Sequence, residues 1–174
     1  PAQDLDRALT ALSTVLAEGA DEIAALVVEP LVQGAGGMRI YNAEYLRGAR
    51  ALTAQHDVLL VADEVFTGYG RTGTFWACER AGITPDVLCS AKGLSGGLLP
   101  FAVTVTTDRI FEGFLGGPER AFYYGHTFCG NPLGAAVSRE VLAVYDDERV
   151  LDGLPERAER IRRTFEELAS LGGV

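Results

Sequence analysis

Lys92 is the only lysine among fifteen basic residues; the rest are arginines. A guanidinium stays protonated in a protein, whereas an ε-amine can lose its proton when buried and act as a nucleophile. The usual task of such an amine is a Schiff base with a carbonyl compound; a solvated surface charge is the bland alternative. The lysine stands in Cys89-Ser90-Ala91-Lys92-Gly93-Leu94-Ser95-Gly96-Gly97. Three other features accompany it. Glu29-Pro30 and Asp63-Glu64 each close an apolar run, and Thr127 lies in Tyr124-Gly125-His126-Thr127-Phe128-Cys129-Gly130-Asn131-Pro132. An acid after a strand is commonly a cap or loop residue, so each feature is weak alone. Together they supply an amine, carboxylates and a Gly/Thr loop.

The elements that must position these residues alternate along the chain. Residues 4–18 carry Leu5, Leu9, Leu12, Val15 and Leu16 at helical spacing, and Gly19 stops the run. Residues 23–28 read as a strand, and Pro30 with Gly34-Ala35-Gly36-Gly37 forces a loop. Residues 43–55 read as a helix. Val58 to Ala62 is an unbroken aliphatic run, the pattern of a strand buried on both faces of a parallel sheet. A short helix over 75–81, strands over 86–89 and 101–106, and helices over 132–145 and 149–169 complete the reading. Strands alternating with helices predict an α/β fold with a mostly parallel sheet. In such sheets ligands sit outside the carboxyl ends of the strands, where Glu29, Asp63 and Lys92 fall. The last helix, dense in Glu and Arg, reads as a solvated face.

Composition narrows the classes. The chain has 174 residues, 48% hydrophobic and 22% charged, enough for one globular domain with a sizeable core. A net charge of −9 argues against nucleic-acid or anionic-membrane partners. Cys78, Cys89 and Cys129 are odd in number and lack CxxC spacing, so neither a disulfide framework nor a zinc site is expected, and a reducing cytoplasm fits. No stretch approaches the roughly 20 apolar residues of a spanning helix. The start at Pro1 and the end at Leu171-Gly172-Gly173-Val174 lead to the expectation of an internal piece of a longer protein.

Pyridoxal phosphate requires this set of groups. Its aldehyde takes a lysine, its ring nitrogen takes a buried carboxylate, and its phosphate takes backbone N–H groups and hydroxyls. Asp63 suits the second role, and Gly125 to Thr127 part of the third. Four segments in order then carry a resemblance: Glu29-Pro30-Leu31-Val32-Gln33-Gly34-Ala35-Gly36-Gly37-Met38, Asp63-Glu64-Val65-Phe66-Thr67-Gly68-Tyr69-Gly70-Arg71-Thr72-Gly73, Pro85-Asp86-Val87-Leu88-Cys89-Ser90-Ala91-Lys92 and Gly125-His126-Thr127-Phe128-Cys129-Gly130-Asn131-Pro132. Over about residues 20 to 150 the chain resembles the class III aminotransferases, pyridoxal-phosphate enzymes of fold type I. The form of the loop at 31–38 is most like the biotin-pathway branch of that class, which aminates 8-amino-7-oxononanoate.

The resemblance implies a partial large domain with helices on both faces of the sheet. Residues 1–145 would be its central part, and 146–174 a helix leading toward the small domain. It implies that Lys92 carries the cofactor as a Schiff base and later shuttles the substrate proton. Asp63 would bind the pyridine nitrogen, Val65 pack on a ring face, and Thr127 bind the phosphate in a neighbouring subunit's site, so a homodimer is expected. His126 would lie beside the cofactor and Gly125 near the substrate. Glu29 would stand behind the cofactor contacts or order its loop, and Arg71 would order the Gly-rich loop. Substrates would be a small amino donor and a keto acceptor. The family's N-terminal phosphate loop and aromatic cover, and its C-terminal carboxylate-binding arginine, have no counterpart in the chain. Phe66 stands where many relatives carry a smaller or polar residue. Three rivals follow: another class III ω-aminotransferase or an aminomutase, a non-catalytic interaction module, and, last, a nucleotide-binding domain, for which no GxGxxG or Walker pattern follows a strand.

Overall fold

Helix α1 (Ala2–Gly19) turns one apolar stripe inward, with Leu16 only 1% exposed. Strand β1 (Ala25–Val28) follows. The glycine-rich loop proves to be the turn of a small antiparallel hairpin, β2 (Val32–Gln33) and β3 (Arg39–Ile40). Two-residue strands carry too little alternation to be read from sequence. Helix α2 (Ala43–Gln55) begins where the Asn42 side chain accepts the Tyr45 N–H at 3.1 Å, a side-chain cap. Its Leu46, Ala49 and Thr53 are buried as a core-facing stripe. Then come β4 (Leu59–Asp63), α3 (Cys78–Ala81), β5 (Val87–Ser90), β6 (Val103–Thr106), α4 (Asp108–Glu112), α5 (Pro132–Asp147) and α6 (Leu154–Ser170). This computed structural model describes residues 2–19 and 21–171; Pro1 and Gly172 to Val174, the ends noted above, lie outside the described residues.

The sheet runs β1-β4-β5-β6, with β1, β4 and β5 parallel and β6 antiparallel to β5. Its α/β character and mostly parallel order agree with the sequence reading. Leu60 and Ala62 are fully buried on one face, and Ala62 packs with Leu31, Leu46, Ala77, Cys78 and Ala81 beneath α2 and α3. The other face differs from expectation. Val61 is half-buried and its neighbour Val27 is 65% exposed, so the strand expected to be sealed on both faces is sealed on one, where α2 and α3 pack.

Two helices depart from the expected limits. The helix expected over 75–81 begins at Cys78, because the Ala77 and Cys78 N–H groups are taken by the Glu64 carboxylate at 3.1 and 2.9 Å. The helix expected over 149–169 is two pieces, a 3₁₀ turn over Val150–Gly153 and then α6. Arg149 is left-handed, φ +49°, and Pro155 fits the first turn of a new helix.

At the end of the sheet away from the catalytic candidates, Asp86 ties four elements together. Its carboxylate accepts Arg50 Nη1 at 2.6 Å and the Leu60 N–H at 2.8 Å, and pairs with Arg109 at 3.7 Å. Burial works to raise this carboxyl's pKa, but the Leu60 N–H and the two guanidiniums outweigh it and hold it below the usual value.

Candidate active site

The carboxylate and the amine leave neighbouring strands. Asp63 is the last residue of β4, its register partner on β5 is Cys89, and Lys92 comes three residues later. Both therefore stand at the carboxyl ends of parallel strands. Asp63 Oδ1 accepts the Val65 N–H at 3.0 Å, and among the described residues nothing else hydrogen-bonds this carboxylate, so Oδ2 can face a ligand.

Lys92 is exposed and left-handed, φ +47°. Its Nζ lies 5.5 Å from the centroid of the Phe66 ring, a cation–π approach of about 0.5–1 kcal/mol at an exposed site. The Phe66 ring rests on Gly34, where a Cβ would come within 3.0 Å of Cγ; a side chain at Gly34 would displace the ring beneath the amine. Glu29 Oε2 accepts the Gly34 N–H at 2.9 Å, so Glu29 orders the loop under Phe66. Glu29, Asp63, Val65, Phe66 and Lys92 thus share one rim.

Gly125, His126 and Thr127 do not join it. Residues 111–130 are exposed throughout. The loop bonds within itself: the His126 N–H reaches Cys129 Sγ at 3.3 Å, and the Phe128 N–H reaches His126 Nδ1 at 3.1 Å. Among the described residues no hydrogen bond, ion pair or ring contact links Gly125, His126 or Thr127 to Lys92 or Asp63. Arg71 is exposed and makes no hydrogen bond among the described residues; Arg80, donating to the Thr72 carbonyl at 2.6 Å, holds the loop that Arg71 was expected to order.

Sequence reasoning gave no separate role to Glu64, Tyr69 or Ser90. Glu64 is fully buried and accepts the Ala77 and Cys78 N–H groups and, at 2.5 Å, the Thr67 hydroxyl. It fixes the loop that follows Asp63. Tyr69 Oη lies 2.7 Å from Ser90 Oγ, and burial raises the Tyr69 pKa. Both stand in the quoted motifs, but a lone hydroxyl carries no sequence signal of its partner. The three cysteines are free thiols; burial, then the Glu64 carboxylate, push the Cys78 thiol up, which makes it inert. Among the described residues there is no metal-ligating cluster and no helix long and apolar enough to cross a membrane.

An exposed amine and a carboxylate with one oxygen unbonded leave the carboxyl ends of neighbouring parallel strands, an arrangement that could capture a carbonyl compound. The chain belongs to the class III aminotransferases: residues 2–172 match the family described as "Aminotransferase class-III", and with it comes pyridoxal-phosphate dependence. Among its relatives are proteins named adenosylmethionine-8-amino-7-oxononanoate aminotransferase. That of Geobacter sulfurreducens is 43% identical over 94% of this chain and 36% of its own length. That of Nitratidesulfovibrio vulgaris is 51% identical over 80% of the chain and 26% of its own length. The crystal structure of the Methanocaldococcus jannaschii protein of that name superimposes with a TM-score of 0.87, at 32% identity, covering 95% of this chain and 39% of its own. An acetylornithine aminotransferase from Elizabethkingia anophelis superimposes with a TM-score of 0.82 at 36% identity, covering 92% of this chain and 39% of its own. The chain spans about a third of the length of the curated relatives it matches.

The donor set fits the cofactor in part. Lys92 would offer the amine and Asp63 the carboxylate for the ring nitrogen, with the Val65 N–H bonded to Asp63 Oδ1. The rim residues include no phosphate-binding hydroxyl; Thr127, which the resemblance assigns to that role, lies on the exposed loop.

Proposed function

We propose that the full-length protein transfers an amino group from a small-molecule donor to 8-amino-7-oxononanoate, giving 7,8-diaminononanoate, and that this chain is the central part of its cofactor-binding large domain. Residues 1–145 belong to that domain, and 146–174 lead toward the small domain. The observation that carries the reading is the pairing of Asp63 and Lys92 at the carboxyl ends of adjacent parallel strands. The relatives named for this reaction support the substrate.

The tasks divide among the residues. Lys92 holds the cofactor aldehyde and, once released by substrate, moves a proton with its ε-amine. Asp63 keeps the ring nitrogen protonated, with Oδ1 already fixed by the Val65 N–H. Val65 packs against the ring. Glu29 keeps the loop beneath Phe66 in place. Gly125 lies near the substrate, His126 beside the cofactor, and Thr127 takes the phosphate of the neighbouring subunit's site in a homodimer; the exposure of residues 111–130 supports this assignment. The cofactor, when bound, supplies the electron sink, and the protein orients the bond to be broken.

A second reading within the class rests on Phe66. Its ring occupies the rim where Lys92 Nζ lies, and a bulky apolar wall there suits an ω-amino acid, diamine or amino-aldehyde. The first experiment adds pyridoxal phosphate to the full-length protein, reduces with borohydride and maps the adduct by peptide mass spectrometry. A stoichiometric adduct at Lys92 is expected, and its absence would overturn the reading. A panel of acceptors, 8-amino-7-oxononanoate against ω-amino substrates, then separates the two substrates.

A further inference from the structure

We infer that Tyr69 is a positioning residue for Lys92, gripping the lysine's backbone from both sides through Ser90 and Gly93. The inference rests on the reading of Lys92 as the cofactor-capturing amine.

Lys92 holds φ at +47°. A non-glycine residue there costs on the order of 1 kcal/mol and persists only where its surroundings over-determine it. On the preceding side, Ser90 is 1% exposed and its Oγ lies 2.7 Å from Tyr69 Oη. On the following side, a Cβ at Gly93 would fall 2.5 and 2.6 Å from Tyr69 Cδ2 and Cγ. One aromatic side chain thus contacts the residue two before the lysine and the residue one after it. The left-handed turn at the end of β5 sends the side chain to where Nζ stands over Phe66.

Tyr69 is itself anchored. It too is left-handed, φ +61°. Tyr145 on α5 donates its hydroxyl to the Tyr69 carbonyl at 3.0 Å. The rings of Phe75, Trp76 and Tyr145 meet Tyr69 edge-on at 5.2, 5.3 and 6.0 Å, a geometry such pairs prefer. Burial raises the phenol's pKa, so its hydroxyl stays intact for Ser90 across the working pH range. The anchor lies in the last turn of α5, so the clamp ties the lysine's turn to that helix.

The test uses the full-length apo-enzyme and measures capture of pyridoxal phosphate on Lys92. The amine condenses with the aldehyde carbon, one water leaves, and borohydride delivers hydride to the resulting carbon–nitrogen double bond, leaving a stable adduct. The adduct is counted by peptide mass spectrometry against time and cofactor concentration, and thermal unfolding midpoints check that each variant is folded. Tyr69→Phe keeps the ring on Gly93 but loses the bond to Ser90, and Ser90→Ala loses the same bond from the other side. Each is expected to lower the maximal capture rate roughly two- to tenfold, the kinetic equivalent of one hydrogen bond, with the half-saturating cofactor concentration unchanged. The double variant is expected to be no slower than the worse single one. Tyr69→Leu, which also loses the ring, is expected to be slower by on the order of a hundredfold, as for a misplaced reacting group, with Tyr69→Phe recovering most of that loss. Maximal rates for Tyr69→Phe and Ser90→Ala within about twofold of wild type, or losses that multiply in the double variant, would overturn the inference. If wild type itself captures no cofactor at Lys92, the proposed function falls and the positioning role with it. If wild type captures and the variants match it, the positioning role alone falls.

Discussion

Asp63 and Glu64 are consecutive and Lys92 leaves the neighbouring strand, but the three have different surroundings, and substitution separates them. Lys92→Arg in the full-length enzyme keeps a cation beside Phe66 yet removes the nucleophile; no borohydride-stable adduct and only background amino transfer are expected. Asp63→Asn retains the Val65 N–H contact through its amide oxygen but, on the proposed role, would no longer hold the ring nitrogen protonated. Cofactor binding should survive while turnover falls on the order of a hundredfold or more, as for loss of one preorganised electrostatic partner. An unchanged rate would mean that another acid serves the ring. Glu64→Ala acts on folding, because it strips three donors of their buried acceptor. Urea unfolding should show a loss of roughly 3 kcal/mol or more. Lys92 and Asp63 could be singled out from the sequence because their settings are uncommon, one amine in an arginine-rich chain and one acid closing an aliphatic strand, and the structure sets them at the carboxyl ends of adjacent parallel strands. Glu64 and Tyr69 could not, because their partners lie 3 to 21 residues away and only the fold brings them within reach.

Strands and helices were legible to the extent that their burial is periodic or continuous. The aliphatic run over 58–62 became β4 and the apolar stripe over 43–55 became α2. The hairpin of β2 and β3, the late start of α3 and the break before α6 arise from turn geometry and from a carboxylate 14 residues distant, and leave no periodic trace. Asp86 acts at this scale too, since it joins α2, β4, β5 and α4 through Arg50, Leu60 and Arg109. Its carboxyl is held below the usual value in the folded state, so its stabilisation is fully present above the ordinary carboxylate pKa of about 4 and is lost as pH falls through the lower folded value. Asp86→Asn should therefore lower stability at pH 7 by about 2 kcal/mol, the loss expected of a charge-assisted hydrogen-bond set. The gap from wild type should narrow below about pH 4. Urea midpoints at the two pH values check both the size and the sign; a gap that widened in acid would show that Asp86 is not the group being titrated.

For the whole molecule, the question is where the loop at 125–127 works. Phe122, Tyr123, Tyr124 and Phe128 are 66 to 82% exposed, more contiguous aromatic surface than a soluble monomer ordinarily leaves in water. Among the described residues, no hydrogen bond, ion pair or ring contact ties the adjoining Gly125, His126 and Thr127 to Lys92 or Asp63. If Thr127 completes the site of a second copy, as proposed, each site of a twofold dimer takes Lys92 from one subunit and Thr127 from the other. Mixing full-length Lys92→Ala and Thr127→Ala proteins, each inactive alone, then gives an unambiguous result. With free exchange about half the dimers are mixed, and each mixed dimer holds one intact site in two, so about a quarter of wild-type activity should return. If Thr127 serves its own subunit, every site in the mixed dimer carries one lesion and no activity returns. Recovery of about a quarter of wild-type activity therefore assigns Thr127 to the neighbouring subunit's site, and no recovery assigns it to its own.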